Sequence, residues 1–219
     1  MQFNLFSTDK LSFEAPDPIA LIESYCIQSD FYTNFDLIPI EKRQPEHANK
    51  IGARIKKEIF SSDEFKKIMK EMENLKILKP DSELDKFLNL DEKERSSCIR
   101  DLNEKIIKKL LNVDGIGLSK ATKILHALRP RIVPMIDNQL QDEYRRTIKE
   151  QWQEVDPQIF IDYYNNLKER ANWENLNEIF RQVSERGFSL SKIRIFDIVW
   201  WSYLRARRLE NVRLSSIKW

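Results

Sequence analysis

Leu110-Leu111-Asn112-Val113-Asp114-Gly115-Ile116-Gly117-Leu118-Ser119-Lys120-Ala121 is the stretch on which the reading of this chain turns. Apolar, helix-forming sequence flanks a Gly-x-Gly corner. Glycine accepts positive φ without steric cost, so Gly115 and Gly117 let the chain reverse where larger residues would clash. The helix after the corner starts with backbone N–H groups that have no acceptor inside the helix. Such an N-terminus can hold an anion, a DNA phosphate included. Before the corner, Leu102, Ile106 and Leu110, with Ile107 and Leu111, recur on one face. After it, Ala121, Ile124, Leu125 and Leu128 repeat the pattern. Neither helix can bury its stripe alone, so the two pack against each other.

Outward from the hairpin, the sequence predicts helix almost throughout. Only 4 glycines occur in 219 residues, and long Lys/Glu/Leu/Ile-rich runs lie between the prolines. Residues 1–16 alternate weakly and suit an extended arm. Asp17-Pro18 caps a helix to about Ser29, burying Ile19, Ile22, Tyr25 and Cys26. Phe31 to Phe35 read as an aromatic loop. Pro45 opens a helix to about Phe60, Ser62-Asp63 caps another to about Glu73, and a short one begins at Ser82 after a loop at Pro80-Asp81. Helical sequence from Asp91 carries through Ser96-Ser97, the one weak point in the run, to Asn112. Beyond the hairpin, Ile132 to Ile136 is an apolar extended run. Further helices are expected from Met135 or Asp137 to Trp152, Pro157 to Ala171, Trp173 to Glu185 and Ser191 to Arg207. The last is apolar on nearly every side, which predicts a central position.

Composition bounds the function. A hydrophobic fraction of 41% indicates a folded chain. No run approaches the roughly 18 apolar residues of a membrane span, and the first residues do not read as the basic-then-apolar pattern of a signal peptide. Cys26 and Cys98 are too few for a disulfide framework or thiolate metal cage. The expectation is a soluble, monomeric, intracellular protein, cytoplasmic and nucleoid-associated if prokaryotic. Net charge is only +2, but the span 105–131 carries an excess of +6 and the span 192–218 an excess of +5. One basic run reads as a solvated helix face; two, one of them on a phosphate-shaped corner, point to nucleic acid.

Val113-Asp114-Gly115-Ile116-Gly117, Ala121, and then Val133-Pro134-Met135-Ile136-Asp137 resemble the helix-hairpin-helix DNA glycosylases of the endonuclease III type. Asp137 falls 22 positions after Gly115, the family's spacing. The resemblance covers residues 102–144. It implies an all-α, two-lobed fold with double-stranded DNA in the cleft between lobes. Residues 31–140 would form the first lobe, with the hairpin at about 101–129, and residues 1–30 with 141–219 the second. Asp137 would be catalytic. Gly115, Ile116, Gly117, Ser119, Lys120 and Lys123 would hold the DNA backbone. The carbonyls of Leu111, Val113 and Ile116 would hold a structural monovalent cation, with no cofactor required. The sequence also departs from the family. Asp114 stands where proline is usual, and no cysteine after Cys98 could ligate an iron–sulfur cluster. Ser119 replaces the lysine nucleophile of members that cut the backbone, and Lys120, about 100° round the helix, is expected to face elsewhere. The implication is a monofunctional glycosylase without lyase chemistry.

Breaking an N-glycosidic bond builds positive charge on the sugar, as in other glycoside cleavage. A carboxylate at about 4 Å, at an effective dielectric near 20, stabilises that charge by about 4 kcal/mol, roughly a thousandfold in rate. Asp137 is the candidate, holding the cation or activating water; its bland role is a helix cap. A base must leave the stack to react. Phe31, Tyr32, Phe35, Trp200 and Trp201 are the candidate pocket residues, although the surrounding apolar helix favours a core position for Trp200 and Trp201. Arg205, Arg207 and Arg208 read as a solvated helix end or a second phosphate contact. His47 and His126 lack ligand-like spacing. The substrate would be a damaged or modified base, including a hypermodified phage base removed in antiviral defence. The alternatives are a non-catalytic helix-hairpin-helix DNA-binding module and a helical interaction protein.

Overall fold

The computed structural model describes residues 2–4, 12–14, 17–28, 36–79, 82–148 and 158–216, and all but one pair of its regular elements are helical. The exception is at the N-terminus, where an extended arm was expected. There β1 (Gln2–Asn4) pairs antiparallel with β2 (Ser12–Glu14), Phe3 opposite Phe13. Helix α1 (Pro18–Gln28) begins where Asp17 Oδ1 accepts the Ala20 N–H at 2.9 Å, the cap that the sequence predicts.

The single helix expected from Pro45 to Phe60 is instead two pieces. A 3₁₀ turn (Pro45–Ile51) stops at Gly52, whose φ is 78°, and α2 (Lys57–Ser61) starts only after an extended link. The cause is Asn49. Its amide donates to the Ile55 carbonyl at 2.8 Å, and its Oδ1 accepts the Ile55 N–H at 2.7 Å. That side-chain clasp satisfies backbone groups a helix would otherwise pair, and so holds the link open. Arg54, inside the link, takes a positive φ of 54°.

Helix α3 (Asp63–Met72) is capped by Ser62, and α4 (Leu84–Leu88) is short. Residues 80–81, read as a loop, lie outside the described residues. Helix α5 (Glu92–Leu102) carries through Ser96-Ser97 unbroken, as the sequence predicts. Burial of Ile99 and Leu102 carries it forward, while Arg95 ties its start to the Leu90 carbonyl at 2.9 Å. The irregularity comes later, as a π turn over Asn103–Ile107 that leads into α6 (Lys108–Asn112). Past the glycine corner, α7 (Leu118–Leu128) packs across the 45–51 turn.

Helix α8 (Asn138–Ile148) follows Asp137, and residues 149–157, which hold the expected end of this helix at Trp152 and the expected start of the next at Pro157, are outside the described residues. Helices α9 (Gln158–Lys168) and α10 (Arg170–Glu185) lead to a Gly187 with φ of 85°. Helix α11 (Lys192–Ser216) packs on α1, α8 and α10. Its buried residues include Ile193, Ile195, Phe196, Ile198, Val199 and Trp200, which accounts for an apolar pattern with no polar face. None of the described helices is long and apolar enough to cross a membrane.

Candidate active site

The hairpin, the residue 22 positions after its first glycine, and the first turns of α11 enclose one cleft of about 1110 Å³. Gly115, Gly117, Ser119, Lys120, Lys123 and Asp137 all line it, and so do Arg194, Asp197, Trp200 and Trp201. The two glycines do different work. Gly115 has φ of +80° and makes the turn, whereas Gly117 is extended at φ −94°. A Cβ on Gly117 would meet nothing within 4 Å, so its missing side chain leaves open space beside the start of α7 instead of enabling the reversal. No side chain caps that helix. The Leu118 and Ser119 N–H groups therefore have no acceptor in the helix.

Other predicted backbone-binding residues are placed differently from expectation. The Ile116 N–H donates to the Val113 carbonyl at 3.0 Å and its side chain is buried, so Ile116 anchors the turn and presents no donor. A cation on the carbonyls of Leu111, Val113 and Ile116 would have to share the Val113 oxygen with that bond. Lys120 does not face away: it lines the cleft, and its Nζ donates to the Gly115 carbonyl at 2.7 Å. Lys123 turns its Nζ toward the Gly52 carbonyl at 3.4 Å. Burial lowers its pKa from the ordinary lysine value, against the pull of Asp137, so it acts as a neighbour of that carboxylate more than as a surface cation. Arg54, exposed and also on the cleft, was not singled out by the sequence.

Asp137 is held by a segment whose backbone is tied down along its length. The Val133 carbonyl meets His126 Nδ1 at 2.7 Å, the Ile136 N–H donates to Thr122 Oγ1 at 3.1 Å, and the Ile136 carbonyl accepts from Gln141 Nε2 at 3.0 Å. The Tyr164 hydroxyl donates to the Ile132 carbonyl, and Ser191 Oγ to the Pro130 carbonyl at 2.6 Å. This is why an apolar run without strand partners can stay extended in a core: side chains from α7, α8 and α9, and Ser191 just before α11, take the place of a sheet ladder. Asp137 Oδ1 accepts the Leu140 N–H at 2.9 Å, so the residue does cap α8, and it lines the cleft as well. Burial raises its pKa from the usual carboxylate value; the Leu140 N–H, Lys123 and the Gln139 N–H oppose that rise.

A buried ionic network, missed in the sequence, backs the cleft. Arg194 Nε sits 3.2 Å from Asp36 Oδ1, with both side chains almost fully enclosed, and its guanidinium also meets the Tyr25 hydroxyl. Burial works against the Arg194 charge, but Asp36, Tyr25 and Asp197 together hold its pKa above the ordinary arginine value. Asp197 accepts the Tyr163 hydroxyl at 2.8 Å and the Met135 N–H at 3.2 Å. Trp200 stacks on Tyr163 with ring centres 6.0 Å apart, as a core residue with an edge on the cleft. Trp201 is half-buried, with the Arg205 guanidinium 5.2 Å over its ring. Phe31, Tyr32 and Phe35 lie outside the described residues, as do the side chains of Arg207 and Arg208. Both histidines serve local structure: His47 Nδ1 accepts the Gln44 N–H at 3.0 Å, and burial holds His126 well below its ordinary pKa. Among the described residues, no group of three or more His, Cys, Asp or Glu could hold a metal ion.

The profile of a family of unknown function, DUF6308, matches residues 68–204. The chain belongs to this family. The span matched in DUF6308 takes in the hairpin, Asp137, Arg194, Asp197 and both cleft tryptophans, and leaves out α1 and the Gly52 link. No curated protein and no solved structure matches the chain.

Proposed function

We propose that the protein is a monofunctional DNA glycosylase, hydrolysing the N-glycosidic bond of a flipped-out damaged or modified base in double-stranded DNA. The observation that carries this reading is the meeting of Asp137 and an uncapped helix N-terminus, cleared by Gly117, on one cleft. Phosphate beside the extruded nucleotide would rest on the Leu118 and Ser119 N–H groups, with Lys120 and Arg54 adding charge. The hairpin side and the α11 side would be the two lobes. The Asp137 carboxylate would face the sugar, where it stabilises the oxocarbenium-like transition state more than the neutral ground state. A cation on the hairpin carbonyls would stiffen the corner but takes no part in the chemistry. A cleft of this size accepts a nucleoside, hypermodified bases included.

A second reading, a DNA-binding module without chemistry, is favoured by the cap that Asp137 provides to α8. Incubation with duplexes carrying deaminated, oxidised, alkylated or phage-type modified bases, followed by hot alkali, separates the two. Strand scission at the modified position supports the enzyme; salt-sensitive binding with no scission on any duplex supports the module.

A further inference from the structure

The cleft holds a second carboxyl group. Asp197 is 8% exposed, yet it lines the same cleft as Asp137. Its bonds to the Tyr163 hydroxyl and the Met135 N–H fix the carboxyl plane, and the second of these ties it to the backbone two residues before Asp137. Each carboxyl oxygen keeps a lone-pair position that those bonds do not use. Trp200 and Trp201, one turn further along α11, line the cleft beside it. An acid set next to flat rings is a wall for a planar heterocycle.

The two carboxyl groups sit in unlike surroundings. Burial raises Asp137, while two backbone N–H groups and Lys123 favour its charge. Around Asp197 are Arg194 on its own helix, Tyr163 and Tyr164 from α9, Asp137 from the segment before α8, and Asp36 and Tyr25 against Arg194. Burial, the largest influence, pushes Asp197 up to about 7 despite Tyr163, Arg194 and the Met135 N–H. A carboxyl group raised this far keeps its proton near neutral pH and can serve as an acid beside a second carboxyl in the same cleft.

Building on the glycosylase reading, we propose that Asp197 is a second catalytic residue, the general acid that gives its proton to the departing base, so that the substrates are uncharged bases and not cationic N-alkylated ones. The C1′–N bond breaks with its electron pair going to the base, and the Asp197 proton joins the base as that bond lengthens. Water bonds to C1′ through its oxygen, and the proton it releases returns through solvent to the Asp197 carboxylate. The base therefore leaves neutral. A cationic alkylated base leaves neutral without that proton, so the acid does nothing for it.

Single-turnover base release is measured from duplexes carrying uracil, hypoxanthine, 8-oxoguanine, 5-hydroxymethylcytosine or 7-methylguanine, across pH 5 to 9, for the wild type and Asp197→Asn. Asparagine keeps both bonds, accepting from Met135 and donating to a reversed Tyr163 hydroxyl. With the wild type, release of the best neutral base falls above about pH 7. With Asp197→Asn that release is about 100-fold slower and the alkaline limb disappears, while any 7-methylguanine release stays within about twofold. An infrared carboxyl band that titrates near pH 7 in the wild type and is missing from Asp197→Asn supports the assignment independently of turnover. Equal slowing of neutral and cationic release, an alkaline limb that survives in Asp197→Asn, or wild-type release of 7-methylguanine alone overturns the acid role and leaves the glycosylase reading standing. No release from any duplex by the wild type overturns both.

Discussion

Replacing each hairpin glycine with alanine separates folding from binding, because the two positions have different backbone conformations. At Gly115 φ is +80°, and an added Cβ meets only Ile59 Cδ1 at an ordinary 3.9 Å. The cost of Gly115→Ala is therefore backbone strain, about 1–2 kcal/mol. In a chain of 219 residues each kcal/mol moves Tm by about 2–4 °C, so the melting point should drop by several degrees. At Gly117 the backbone is extended and a Cβ finds open space. Gly117→Ala should leave Tm unchanged or raise it, through an unfolded-state entropy gain of about 0.4–1 kcal/mol. That Cβ would stand in the space we assign to a phosphate. Loss of one charge-assisted hydrogen bond, about 1.5–3 kcal/mol, corresponds to roughly a 10- to 100-fold weaker Kd. Thermal melts and fluorescence anisotropy on a duplex at fixed salt read the two effects. Wild-type affinity in Gly117→Ala would refute the phosphate site, and so would affinity losses that merely track Tm in both variants.

Stability should respond to pH through the buried carboxyl. Because the folded pKa of Asp197 is raised to about 7, its stabilising contribution is complete below the unfolded value near 4 and is lost as pH climbs through about 7. Urea melts should accordingly show the pH 6 advantage over pH 8 shrinking in Asp197→Asn; an unchanged difference would mean that another group is responsible. Asp36→Asn strands the buried Arg194 charge and should cost about 3–5 kcal/mol in the same melts, whereas a cost below about 1 kcal/mol would show the pair to be solvated. Borohydride added during turnover should trap no covalent protein–DNA adduct, although Lys120 and Lys123 both line the cleft. An adduct lost in Lys123→Gln would instead make that lysine a nucleophile.

The hairpin and Asp137 were legible in the sequence because their information is local. A glycine turn, two apolar stripes and a fixed spacing need no distant partner to be recognised. The helix caps at Asp17 and Ser62 were readable for the same reason. The Gly52 break was not, since it depends on one asparagine closing on a backbone six residues away. Nor was the acidic and cationic wall of the cleft. Arg194 and Asp197 lie in a helix whose apolar residues dominate any pattern, and their partners Asp36, Tyr25 and Tyr163 come from elements 34 to 169 positions distant. Lys120 shows the limit of angular reasoning on a helix: a long side chain can reach back to the turn that its Cα direction leaves behind.

The central claim is tested most directly by single-turnover base release in Asp137→Asn, run beside duplex affinity for the same protein. Removing the charge while keeping a side chain that still accepts the Leu140 N–H should slow release about a thousandfold and leave Kd within about threefold. Release at the wild-type rate, or binding lost as completely as release, would contradict the account.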